Sequence, residues 1–226
     1  MTRPRGFIPL VTLALAAMTL ASCTDSPSEP DTATASSNRT PGSDPSDDAP
    51  DTDTATDTEE EAQAAFNDEL IEQGRAVMDA LASDDAAALA ELTDPNRGVT
   101  FSPYAYVGDR ALTFMPDELA DMMTSTEPLV WGIQDGKGSP IELTWPEYKD
   151  SFVLDRDYSD ADNATVDDPQ VGGNAPNNIP QYFGAEAKTV EFSFGTYFSS
   201  SLDWAALRLV FSEDGLVGVV RDVWTI

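Results

Sequence analysis

Two basic side chains and a set of aromatics are the residues here whose types and spacing could do chemistry. Arg208 and Arg221 lie on the two arms of an expected hairpin around Asp214-Gly215, and a two-residue loop there sets them opposite each other. Like charges in a cross-strand pair are unfavourable unless carboxylates or an anionic ligand lie between them. The pair therefore reads either as an anchor for an anion or carboxylate, or as partners in ion pairs with Asp203, Asp222 or Glu191, and a one-residue change of register would separate it. Tyr104, Tyr106, Trp131, Trp145, Tyr148 and Trp224 offer large amphipathic surfaces with hydroxyl or indole donors. Most aromatics in a domain of this size are core. One or two are expected at the rim of a ligand cavity, with Tyr104, Tyr106 and Trp131 as the candidates.

The chain has no His, which excludes Ser-His-Asp and Cys-His catalysis, His-ligated zinc and a histidine pH switch. Any proton transfer would fall to Asp, Glu, Tyr or Lys. Asp155, Asp157, Asp160, Asp162, Asp167 and Asp168 crowd one loop, a density of carboxylates that suits hard cations. The calcium-loop spacing fails, however: counting from Asp155, Asp160 stands where Gly is required and Val166 where Glu is required. Gly132, Gly136, Gly138 and Gly172-Gly173 have no phosphate-loop spacing and read as turns. No metal or cofactor is expected.

Charge narrows the partners. Lys+Arg number 12 against 41 Asp+Glu in 226 residues, a net charge of -29. Nucleic acid and anionic lipid head groups are disfavoured, while cations, cationic peptides or plain solubility are favoured. Residues 24 to 61 carry about -11 of this charge and the start of the chain +2, so the folded part keeps about -20.

These residues must be positioned by elements that the chain announces in order. Arg3 and Arg5 precede an apolar run from Phe7 to Leu20, broken by Pro9, Thr12 and Thr19, and small residues follow. This is a secretory signal over residues 1–22, too short to span a bilayer comfortably. Residues 23–60 are almost wholly Thr, Ser, Asp, Glu, Pro and Ala, a composition that cannot bury enough surface to fold, and form an acidic linker expected to be disordered. One domain is expected over 61–226. It opens with an amphipathic helix whose apolar face is Phe66, Leu70, Val77, Met78 and Leu81, weakened by Gly74. A short helix follows, with Ser83 as its N-cap and Asp84 and Asp85 in its first turn.

Val99 to Val107 is β-prone, with Pro103 marking an edge or an interruption. Pro116-Asp117-Glu118 opens a further helix, Leu129 to Leu143 reads as a hairpin around Gln134 to Gly138, and Thr144-Trp145-Pro146-Glu147 has capping-box spacing. Residues 155 to 185 read as a long loop of little regular structure. Three strands close the chain: Thr189 to Phe198, Trp204 to Ser212 and Leu216 to Thr225. Leu207, Leu209 and Phe211 alternate, as do Val217, Val219 and Val223, so one face of this sheet should pack on helices and the other should be open to water, a ligand or a second copy of the chain. Helices followed by an antiparallel sheet make an α+β layout.

The residues Leu20-Ala21-Ser22-Cys23 resemble the lipobox of bacterial lipoproteins. The resemblance implies cleavage before Cys23, diacylglycerol on its thiol, and an extracytoplasmic domain tethered to the bacterial membrane by lipid. Cys23 is the only Cys, so the domain beyond it would have neither a disulfide nor a cysteine nucleophile. From about residue 61 onward the order of elements resembles an NTF2-like (SnoaL-like) domain, with Ala82 to Leu89 as its short second helix. That resemblance implies a cone whose curved sheet wraps a pocket, catalytic in some members and only binding in many. Phe101-Ser102-Pro103-Tyr104-Ala105-Tyr106-Val107, Trp131-Gly132 with Asp135-Gly136, Asp203-Trp204, Leu207 to Phe211 and Trp224-Thr225-Ile226 are similar to strings in uncharacterised bacterial secreted lipoproteins.

The expectation is a lipid-anchored, non-enzymatic module that binds a small molecule or an envelope protein. The alternative is a histidine-free acid–base hydrolase or isomerase using Tyr and Asp or Glu.

Overall fold

In a computed structural model, residues 53–173, 175–195 and 203–223 are described. Cys23, the signal, most of the linker, and Trp224 to Ile226 lie outside them. The first helix, α1 (Asp53–Ala82), begins inside the stretch expected to be linker. Glu59, Glu60, Glu61 and Ala62 are good helix formers, so a helix anchored by packing further along extends back through them. Leu70, Val77, Met78 and Leu81 are buried as expected, but Phe66 is 43% exposed. Gly74 marks the close approach of α1 to the sheet: a Cβ there would lie 2.9 Å from the Phe192 ring.

The second helix, α2 (Ala86–Leu92), is capped by Asp85, whose Oδ1 accepts from Ala88 N at 3.0 Å. Ser83 instead donates to Asp79 O and closes α1. Asp84 adopts φ 53° between the two helices.

The strands β1 (Val99–Ser102), β2 (Leu112–Phe114), β5 (Asn163–Val166), β6 (Lys188–Phe194), β7 (Ala205–Ser212) and β8 (Gly215–Val223) form one sheet in the order β2-β1-β8-β7-β6-β5. All its pairings are antiparallel except β1 with β8. The fold is α+β with a mostly antiparallel, curved sheet. β1 stops at Ser102, because Pro103 has no N–H to continue a ladder, yet it is an inner strand between β2 and β8. β2 and β5 are strands that sequence pattern did not reveal, and β5 lies inside the expected long loop.

The β3 (Leu129–Ile133) and β4 (Pro140–Leu143) hairpin, α3 (Leu119–Thr124) and α4 (Trp145–Tyr148) form where expected. The capping box at α4 is made, Glu147 Oε2 accepting from Thr144 N at 2.9 Å. A π-turn, Lys149–Val153, continues α4.

Register in the β7–β8 hairpin differs from expectation twice. Ser212 pairs with Gly215, so the loop is Glu213-Asp214. Phe211 then pairs with Leu216 but Val210 with Gly218, which leaves Val217 as a β-bulge. One extra residue inverts the facing of everything beyond it. Val217 packs with Val210 and Val220 on one side, and Val219 with Leu207 and Leu209 on the other. Arg208 pairs with Val220 and Arg221 with Leu207, so the two arginines point to opposite faces of the sheet.

Nor is the second face open over the central strands. It is covered by the chain's own strap, residues 169–173 with α5 (Ile179–Phe183): Val171 packs on Ala206 and Trp204, and Ile179 and Phe183 on Val210, Val217 and Val220. Seven of the eight residues of β7 are buried as a result. Gly218 permits this cover, since a Cβ there would lie 2.5 Å from Phe183 Cζ. Gly218→Ala is expected to cost about 1–3 kcal/mol in urea unfolding through overpacking; an unchanged midpoint would show that Phe183 swings clear.

Candidate functional site

A cleft of about 680 Å³ lies where the chain leaves β1 and meets the β3–β4 hairpin. Its walls include Pro103, Tyr104, Tyr106, Arg110, Trp131, Gly132 and Asp135, with Ala175 and Pro176 of the strap at one side. Its volume is in the range of small-molecule sites. Three of the residues singled out in the sequence, Tyr104, Tyr106 and Trp131, are thus brought together. Arg208 and Arg221 are not part of it.

Local chemistry explains why the lining stays open. Pro103 ends β1, and Ser102 Oγ donates to Tyr104 O at 2.8 Å to turn the chain out of the sheet. Asn178 holds the far end of this loop with its side-chain amide, accepting from Val107 N at 2.7 Å and donating to Val107 O at 3.0 Å. Tyr104 Oη accepts from Asp135 N at 3.2 Å and ties the loop to the hairpin turn. Gly132 leaves room for Pro103, whose Cγ would be 3.3 Å from a Cβ at that position. Trp131 is fully buried and donates Nε1–H to Leu143 O at 2.9 Å, so it is wall and floor rather than a free contact. Tyr106, by contrast, is 56% exposed. Arg110 is exposed at the cleft and makes no ion pair among the described residues.

Behind this wall lies an aromatic cluster. Phe101 meets Phe114, Trp131, Trp145 and Tyr148 edge-on, and Tyr148 stacks on Trp131 with centroids 3.9 Å apart. Burial pushes the Tyr148 and Tyr158 hydroxyls well above the ordinary phenol value. The indole of Trp145 donates to Asp84 Oδ1 at 2.8 Å, and Lys149 Nζ donates to Asp84 Oδ2 at 2.7 Å. Burial alone would raise the Asp84 pKa, but these two hydrogen bonds outweigh it and hold the carboxyl below its usual value.

The two arginines have separate structural roles. Arg208, 2% exposed, donates Nε–H to Glu191 Oε2 at 2.8 Å, Nη1 to Asp222 Oδ2 at 2.7 Å and Nη2 to Val171 O at 2.9 Å. Glu191 Oε1 also accepts from Gln170 N at 2.7 Å. The buried triad therefore clasps the strap to the sheet, beneath a second cavity of about 320 Å³. Arg221 pairs with Asp155 at 2.7 Å on the opposite face, its Cζ 5.5 Å from the centre of the Phe152 ring. Glu191 and Asp222 are among the ion-pair partners that the sequence offered for the arginines, whereas Asp155, in the long loop, is not.

The carboxylates of the long loop serve the fold. Asp157 Oδ1 accepts from Ser159 N, Asp162 Oδ2 accepts from Gly195 N, and Asp167 pairs with Lys188. Among the described residues no three potential ligands are grouped to hold a metal ion, and no helix is long and apolar enough to cross a membrane. Comparison with protein-family models, characterised proteins and solved structures finds no match to this chain.

Proposed function

We propose that this chain is a lipid-anchored extracytoplasmic binding module of NTF2-like design, whose small-molecule ligand lies in the Tyr104–Tyr106–Trp131 cleft. The observation that carries the reading is the convergence of those aromatics around one cavity of ligand size, with Tyr106 exposed among its lining residues. N-terminal helices packed on a curved, mostly antiparallel sheet support the NTF2-like element of the reading, and the lipobox-like Leu20 to Cys23 supports the anchor. Acid–base catalysis is the weaker reading. The Tyr148 and Tyr158 hydroxyls are shifted upward by burial, so both stay protonated and neither can serve as a base.

The test is extraction of the full chain from its own membrane in mild detergent, followed by native mass spectrometry. A co-purified small molecule is expected, with occupancy about tenfold lower or less in Tyr106→Ala, the loss of one aromatic face being worth about 1.4 kcal/mol or more. Absence of any such molecule, or equal occupancy in Tyr106→Ala, sinks the reading.

A further inference from the structure

Among the described residues, two buried polar groups have no hydrogen-bond partner. The hydroxyl of Tyr148, a residue with no exposed surface, and the Nε–H of Arg221 are both buried and make no hydrogen bond. Buried polar groups in native proteins are nearly always satisfied, because leaving one unpaired forfeits its hydration without return. Two in one neighbourhood call for a common explanation. The Phe152 ring fixes that neighbourhood: the Tyr148 ring is stacked against it with centroids 5.4 Å apart, Arg221 Cζ lies 5.5 Å from its centre, and Tyr104 meets it edge-on at 6.2 Å. Tyr148 also stacks on Trp131. Since Tyr104 and Trp131 line the cleft, the Tyr148 and Phe152 rings, against which both groups are placed, pack directly on its lining residues.

The chemistry of the missing partner follows from what the two groups can do. An arginine Nε–H only donates, and a protonated phenol donates readily. The shared partner must therefore accept. It should also be neutral: Arg221 is already balanced by Asp155 at 2.7 Å, with both side chains largely buried, and Asp155 also accepts from the Tyr158 hydroxyl. A second anion there would be buried without a counter-charge, which is costly.

We propose that Tyr148 Oη and Arg221 Nε form a subsite for a single neutral oxygen acceptor. That oxygen is either a buried water or the carbonyl or hydroxyl oxygen of a molecule held in the cleft; the second source rests on the binding reading above, and the first does not.

Thermal unfolding of the full chain in detergent tests this. With the acceptor in place, Tyr148→Phe removes a made hydrogen bond and the midpoint falls by about 3 °C. With no acceptor, the same change deletes a desolvated, unpaired hydroxyl, and the midpoint stays or rises, which overturns the proposal. Arg221→Lys keeps the charge for Asp155 while removing Nε–H. If both groups hold one oxygen, the double variant loses clearly less than the sum of the two single losses; additive losses overturn the shared site.

Repeating the Tyr148→Phe comparison in a Tyr106→Ala background identifies the source. A loss that persists assigns the oxygen to water, whereas a loss that disappears assigns it to the cleft ligand. If the binding reading fails and no molecule co-purifies, a persistent loss still supports the subsite.

Discussion

Arg208→Leu is expected to lower the unfolding free energy by about 3–5 kcal/mol, because it strands two buried carboxylates without their cation. Glu191 and Asp222 are 2% and 4% exposed, so water cannot replace the guanidinium. The loss should be spatially selective. Arg208 Nη2 bonds Val171 O and Glu191 Oε1 bonds Gln170 N, so hydrogen exchange at the strap amides should accelerate before that of α1. Replacing Arg208, Glu191 and Asp222 together by Leu should recover much of the stability, since an apolar trio removes the desolvation cost along with the attraction. Equal stability of Arg208→Leu and wild type in guanidinium titration would contradict the clasp.

The triad also sets a sign for pH. Burial raises the Asp222 pKa, and Arg208 reverses only part of that rise, so the folded chain holds this proton more tightly than the unfolded chain. The contribution of Asp222 to stability is full below the ordinary value of 3.8 and is lost as pH rises through the higher folded value. Asp94 runs the other way. Burial would raise its pKa, but hydrogen bonds from Ser212, Asn96 and Arg97 outweigh that effect and lower it. Its stabilisation is present above 3.8 and lost as pH falls through the lower folded value. Asp222→Asn should remove the first component and leave the second.

Cys23→Ala should abolish metabolic lipid labelling and move the chain from the membrane fraction to the soluble extracytoplasmic fraction. Cys23 is the only thiol in the chain, and one acyl chain alone holds a protein only marginally, whereas two or three hold it stably. Retention should therefore track how fully Cys23 is acylated. The acidic residues that follow cannot substitute for lipid, because anionic head groups repel them. Continued labelling of Cys23→Ala would remove the basis for the anchor.

Much of the local structure was legible in the chain. Leu70, Val77, Met78 and Leu81 recur at helical spacing, and that spacing alone puts them on one buried face of α1. Thr144 and Glu147 formed their capping box because its hydrogen bonds span only one turn. Gly136 and Gly138 closed the β3–β4 hairpin from within. Tyr104, Tyr106 and Trp131 could be named as cavity candidates by type, since amphipathic rings suit a half-buried wall. What misled was the assignment of facing, cover and capping, each of which is decided between layers. Ser83-Asp84-Asp85 offered three adjacent capping side chains, and which of them capped α2 depended on Asp84 being drawn to Trp145 and Lys149 of the next layer.

By itself, then, the sequence determined where most of the helices and the hairpins form, though not α5 or the start of α1, excluded histidine and disulfide chemistry, and made the chain strongly acidic, because these depend on composition or on neighbours within a few residues. The tertiary structure decided which face each strand presents. A single bulged residue, Val217, inverted the facing of β8 beyond it, sending Arg221 to Asp155 on the face opposite Arg208 and the strap. It also decided that the second sheet face is covered, that β1 lies inside the sheet, and that a loop at 103–111 and a hairpin at 129–143 enclose one cleft. Pairing register and layer packing are summed over many contacts far apart in the chain, and a period of two or 3.6 residues carries no information about them.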